Sequence, residues 1–169
     1  EERLTLARRG DMVTTGVPGP AATDPTGAAM TDVERWIRLE DVVTHDLRVN
    51  GQRLWARQLN IENQGTHLSN AAGDVWILGY KTERGGTLLD TRGGGRSEVL
   101  GGFSYTTTAG TLAPMFVNTD SSVWAFFREI CFNGDPFLVQ VLERRGAETR
   151  TIGQGDGHTT PYSGRPHIP

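Results

Sequence analysis

The sequence predicts an all-β fold, a short parallel β-helix or β-solenoid of about four to six coils. An irregular N-terminal extension and an irregular C-terminal tail flank it. Three observations predict this. One stretch is written twice, 21 residues apart: WARQLNIENQGTHLSN from Trp55 to Asn70, and WILGYKTERGGTLLDT from Trp76 to Thr91. Inside each copy apolar and polar residues alternate with the period of a strand, and a strand this short buries a face only by stacking on its copy. The chain is also rich in glycine, 22 residues, with only 36% hydrophobic content, which suits short strands joined by tight turns rather than a helical bundle.

In order along the chain, Glu1–Arg9 (EERLTLARR) fits a strand or a short helix equally well. Residues 10–30 are Gly-, Pro-, Ala- and Thr-rich without a hydrophobic period, the mark of a linker or long loop. Residues 1–34 therefore form an extension that serves as a cap or linker, 35–152 the solenoid, and 153–169 the tail. Trp36–Val43 (WIRLEDVV) is a candidate first strand, and Gly51-Gln52 turns the chain into the first clear repeat. Beyond Thr91, the strand Trp76–Glu83 matches Glu98–Tyr105 at an offset of 22, and that matches Ser122–Glu129 at an offset of 24. This alignment puts Ile77, Val99 and Val123 in one column and Gly79, Gly101 and Ala125 in another. A second strand per repeat aligns Leu68, Leu89, Val117 and Val139, beside a polar column of Ser69, Asp90, Asn118 and Gln140. The inward face of the first strand set stays open: Leu59 and Ile61 favour one register, Ile77, Val99 and Phe103 the other. Glu148–Ile152 reads as one last edge strand.

Bulk properties exclude several functions. The 169 residues make one domain with room for a real core. Seventeen basic and 20 acidic residues give a net charge of −3 without a basic stripe, which argues against nucleic acid. Cys131 stands alone, so neither a disulfide framework nor a cysteine metal site is available. No apolar run approaches the roughly 18 residues of a membrane span. The chain begins at Glu1 without a signal-peptide pattern and reads as a processed product.

The run VWILGYKTERGGTLLDTRGGGRSEVLGGF, with WARQLNIENQGTH before it, resembles the C-terminal coils of bacterial right-handed parallel β-helix proteins of the pectate-lyase superfamily. The resemblance covers roughly residues 35–150. It implies a right-handed helix, a polysaccharide or oligosaccharide partner and a secreted or cell-surface location. Family members are several hundred residues long, so this chain looks like a C-terminal piece, with an open end that a partner chain, a second copy or its own N-terminal extension would cover. Family enzymes need paired carboxylates, or a Ca²⁺ cluster beside an Arg or Lys base.

Candidate residues are weighed against that need. Glu62, Glu83, Tyr105 and Glu129 fall at equivalent strand ends, as an acid/base ladder or, more plainly, as solvated carboxylates paired with Lys81, Arg84 and Arg128. Asp90 and Asn118, in the polar column, are candidate Ca²⁺ ligands against a register-holding side-chain ladder. The second strands are spaced 21, 28 and 22 residues apart, so about six extra residues sit near Tyr105–Leu112, and solenoid insertions gather on the binding face. Arg92, Arg96, Glu98, Tyr105 and Asp120 are the substrate-binding candidates, because a sugar site wants an aromatic platform and planar donors. The plainer alternative is a flexible RGGGR turn. Trp55 and Trp76 read as a stacked ladder, and His67, standing where the next repeat has Leu88, as a substitution on an exterior face. No phosphate loop, dinucleotide fingerprint or nucleophile elbow is present. Two functions follow: a carbohydrate-associated module, part of a larger protein and without a complete active site, or a lyase or glycosidase acting at the Arg92–Asp120 turns. A structural module stacking end to end is a third.

Overall fold

In the computed structural model the described residues, 4–6, 36–154 and 159–165, form a parallel β-solenoid of about four turns without a helix. The thirteen strands are β1 (Leu4–Leu6), β2 (Trp36–Thr44), β3 (Leu47–Asn50), β4 (Arg53–Glu62), β5 (Leu68–Ala71), β6 (Asp74–Glu83), β7 (Leu89–Arg92), β8 (Arg96–Thr106), β9 (Phe116–Thr119), β10 (Ser122–Cys131), β11 (Val139–Arg145), β12 (Glu148–Gly153) and β13 (Thr159–Gly164). They build a long-strand sheet in the order β1-β2-β4-β6-β8-β10-β13 and a short-strand sheet in the order β12-β11-β9-β7-β5-β3. The repeat fixes this. Trp55 pairs with Trp76 in register, and their rings stack at 4.9 Å with planes 10° apart, one rung spacing.

A bend divides each long strand. Asp41, Gln58, Gly79 and Gly101 lie in one column between paired residues, and all have positive φ, from 53° to 87°. One left-handed residue shifts the alternation by a step, so Leu54 and Ala56 face inward before the bend and Leu59 and Ile61 after it. The open choice of register therefore resolves in favour of both sets. Phe103 is the exception and lies outward, 38% exposed. Strand β10 lacks the bend: Phe126 pairs with Leu100 and Phe127 with Gly102.

The expected columns are slipped by two residues ahead of this point and, once β10 omits the bend residue, by one beyond it. Val99 pairs with Ala125, not Val123, and Tyr105 with Ile130. Glu129 consequently faces inward opposite Ser104 and is 1% exposed. One residue of slip moves a side chain to the other face of a sheet. In the short sheet the inward column is Leu47, Leu68, Leu89, Phe116 and Val141, and Asp90 pairs with Val117 while Asn118 pairs with Thr91. The polar column expected there forms only at Ser69 and Asp90; Asn118 and Gln140 fall out of it. His67 does occupy the place of Leu88, but inside, fully buried.

A second left-handed corner closes each turn at Gly51, Ala72, Gly93 and Asp120. Behind it polar groups satisfy one another. The Asn70 amide nitrogen donates to the carbonyls of Gly73 (3.0 Å) and Arg96 (2.9 Å) and to Ser97 Oγ (2.9 Å), and its oxygen accepts the Gly73 N–H. Thr91 and Ser97 hydroxyls meet at 2.8 Å. The third corner is a loop of changing length, residues 63–67, 84–88, 107–115 and 132–138.

The C-terminal end is closed by the chain itself. β12 reverses on β11, as the sequence suggests, and β13 runs antiparallel along β10, where an irregular tail was expected. Tyr162 of β13 sits opposite Ala125, turns inward and donates to Glu143 on β11. Burial pushes its phenol up to about 12. Antiparallel strands end a parallel stack without inviting another rung in register. At the other end β1 pairs with Ile37–Leu39 of β2; the rest of the proposed N-terminal cap lies outside the described residues.

Candidate functional site

The short sheet turns one face to solvent, and there the outward columns Arg48-Ser69-Asp90 and Asn50-Ala71-Arg92 run side by side. Small Ser69 and Ala71 leave a floor between the longer neighbours. The loop after β4 makes a wall, shaped because Asn63 Oδ1 accepts the N–H groups of Gln64 (2.8 Å) and Gly65 (3.2 Å). The result is a polar cleft of about 580 Å³, lined by Arg48, Asn50, Asn63, Thr66, Ser69 and Arg92 among others. Arg48 reaches Asp46 at 3.4 Å and Arg92 reaches Asp90 at 3.3 Å, and both arginine side chains remain more than half exposed. Each keeps N–H donors for a ligand.

The residues singled out from sequence distribute around the solenoid. Arg92 ends β7 and lines the cleft. Arg96 opens β8 on the outer face of the long sheet, in a column with Arg53 and Asp74. Glu98 lies two residues further on, between Trp76 and Trp124. Tyr105 is at the far end of β8, where its ring stacks on Phe132 at 5.3 Å. Asp120 occupies the left-handed corner, and its carboxylate accepts the Gly146 N–H at 2.9 Å. Asp90 and Asn118 lie on opposite faces of the short sheet, Asp90 outward and Asn118 fully buried, so they do not converge on one ion. Among the described residues no three His, Cys, Asp or Glu side chains come together as a metal set.

The strand-end carboxylates are engaged in structure. Lys81 bridges Glu62 and Glu83 on adjacent rungs, and Asn60 donates to Glu62 at 2.9 Å. The Asn60 hydrogen bond is the largest influence on the Glu62 carboxyl; burial, next in size, opposes it, and Lys81 and Arg84 add to Asn60 to hold the group below its usual range. The stacked tryptophans also offer little to a sugar: each covers a ring face of the other, and Arg38 lies 6.0 Å over Trp55. The insertion near Tyr105–Leu112 is the 107–115 loop, on the corner that also walls the cleft. Thr108 Oγ1 accepts the Gly85 N–H at 2.9 Å, and Leu112 packs on the core. Arg48 escaped the sequence reading because the β3 rung does not repeat the Trp55 pattern, although LRVN does alternate, and Asn63 because its place depends on a turn that its own side chain shapes.

Fold and surface together define a parallel β-solenoid with a polar cleft on its short sheet. No family model matches the chain, and neither a curated protein nor a solved structure matches it. The solenoid implied by the likeness to the pectate-lyase superfamily is present; membership in that superfamily has no support from these comparisons. Among the described residues no helix is long and apolar enough to cross a membrane.

Proposed function

We propose that this chain is a carbohydrate-associated binding module, part of a larger extracellular protein, that holds saccharide along the short-sheet cleft and carries no complete active site. The cleft is the observation that carries this reading. Two guanidiniums, two carboxamides and two hydroxyls face one groove, and planar donors of this kind match the vicinal hydroxyls and carboxylates of sugars. A catalytic reading needs a carboxylate pair facing one scissile bond. Of the strand-end carboxylates, Glu62 and Glu83 are instead tied to Lys81 and Asn60, and Glu129 is buried against Phe137 and Gln140.

The test is retention on immobilised acidic and neutral polysaccharides, with and without Ca²⁺, alongside assays for reducing ends and unsaturated products. Retention without depolymerisation is expected, and the Arg48→Ala/Arg92→Ala double variant should bind at least about tenfold more weakly, as loss of two charge-assisted contacts implies. Depolymerisation by the wild type would replace this reading with an enzyme. Unchanged binding by the double variant would remove the cleft from it.

A further inference from the structure

The interior is polar in two places, and only one is satisfied directly. At the left-handed corner Asn70, Thr91 and Ser97 bond to one another and to backbone. At the loop corner, the inward column after the bend runs Ile61, Thr82, Ser104, Glu129 on successive rungs, with Thr106 two residues beyond Ser104. Thr82 Oγ1, Ser104 Oγ and Thr106 Oγ1 are all buried, and none has a hydrogen-bond partner among the protein groups. Beside them the Glu129 carboxylate, 1% exposed, accepts the Phe137 N–H at 2.7 Å and the Gln140 side-chain N–H at 3.1 Å. Those two bonds leave lone pairs on both oxygens unused. A buried hydroxyl without a partner costs roughly 1–3 kcal/mol, and three gathered on two adjacent rungs beside a buried carboxylate call for a common partner.

We propose that this seam is an internal hydration site, in which ordered water bridges the hydroxyls of Thr82, Ser104 and Thr106 to the Glu129 carboxylate. Water is the species that fits. Hydroxyl protons need an acceptor and a carboxylate needs donors, and a water molecule with two to four polar partners supplies both. A bare cation would occupy lone pairs and leave the hydroxyl protons unplaced. Register explains the location: the slip in β10 brings a glutamate inward, where in-register stacking would have left it on the surface. The bridge ties β6, β8 and β10 to the segment that bears Phe137 and Gln140, so it braces the corner where the loops are longest. This inference is independent of the saccharide reading.

Water–amide cross-relaxation by NMR tests it on the wild-type protein. Long-lived water next to the Ser104 and Phe137 amides is expected, and the Ser104→Ala variant should lose that signal with a lower urea midpoint. Thr82→Val, nearly the same shape, should also lower the midpoint if its hydroxyl is bridged. No long-lived water at those amides, or a Thr82→Val midpoint equal to or above wild type, would show a dry seam and overturn the proposal. A midpoint that follows Na⁺, K⁺ or Ca²⁺ at constant ionic strength would put an ion there instead and overturn it equally.

Discussion

The left-handed corners and the loop corner of this solenoid solve the same problem, turning the chain, by opposite means. At the left-handed corners a residue in the αL region turns the backbone, joined after Gly93 by Gly94 at φ 77°. Stacked copies of that residue keep the same geometry whether they are Gly51, Ala72, Gly93 or Asp120. Polar side chains there close on one another, and Gly73 is packed so tightly that a Cβ would fall 2.6 Å from the Gln52 carbonyl and 2.8 Å from the Asn70 oxygen. At the loop corner the connection grows from 63–67 to 107–115, hydroxyls go unpaired and the cleft finds its wall. The difference teaches where a solenoid keeps its register and where it is free to vary. Backbone conformation holds the one; insertions accumulate at the other.

The largest effect that would break this contrast is expected at Asn70. Asn70→Ala strips bonds from the Gly73 N–H and from the Gly73 and Arg96 carbonyls at a buried corner. It should cost about 3 kcal/mol, as several buried groups left unpaired imply, read as a lower urea midpoint at unchanged slope. A loss under about 1 kcal/mol would mean that water replaces the amide and the corner is not closed as described.

Conformation alone should give the next effect. Nothing lies within 4 Å of a Cβ built on Gly101, at φ 87°, so Gly101→Ala adds no clash and should cost the αL penalty, about 1–2 kcal/mol. Restricting the unfolded chain gives back about 0.5–1 kcal/mol, so a net loss of about 0.5 kcal/mol is expected. Ala72→Gly relieves the same penalty at φ 58° but gives the unfolded chain more freedom, by about 0.5–1 kcal/mol, so a net gain near 0.5 kcal/mol is expected. Equal and opposite shifts would show that the two corners are conformationally interchangeable; a loss at Ala72→Gly would show that its methyl group matters to packing.

The sequence makes the solenoid legible because two rungs, Trp55–Asn70 and Trp76–Thr91, are nearly the same length and carry their tryptophans, glycines and leucines at the same places. It hides the bend, because Asp41 and Gln58 hold a conformation usually read from glycine. Once β10 omits that bend, an alignment without gaps slips by one, and Glu129 is read as a surface carboxylate when it lies inside. The cleft is legible only at Arg92. Its other arginine, Arg48, belongs to the least repetitive rung, and the wall at Asn63 depends on a turn that side-chain hydrogen bonds shape. Candidates close in sequence, such as Arg96 and Tyr105, end apart because they stand at opposite ends of the one long strand β8, on either side of its bend.

The smallest effect sharpens the contrast from the loop side. His67 is fully buried there, its Nε2 2.6 Å from the Asn63 carbonyl and 3.2 Å from that of Gly85, so the proton sits on Nε2 and is shared between them. Nδ1 is buried without a partner, and a second proton would have no acceptor. Burial accordingly lowers the His67 pKa below its ordinary 6.5, outweighing the two carbonyls that would raise it. The unfolded chain takes up a proton first as pH falls through about 6.5, and the folded chain only lower down. The contribution of His67 to stability is therefore complete above that pH and is lost progressively below it. Urea midpoints measured from pH 7.5 down to 5 should decline for the wild type. In His67→Leu, which places at this rung the residue that the next one has in Leu88, the decline should be shallower whatever the variant's absolute stability. Glu62 gives no interference in this window: its lowered pKa makes its own contribution present above 4.5 and lost only as pH falls below that value. Parallel slopes for the two proteins would mean that His67 finds an acceptor when charged. The loop corner would then be as fully satisfied as the left-handed corners.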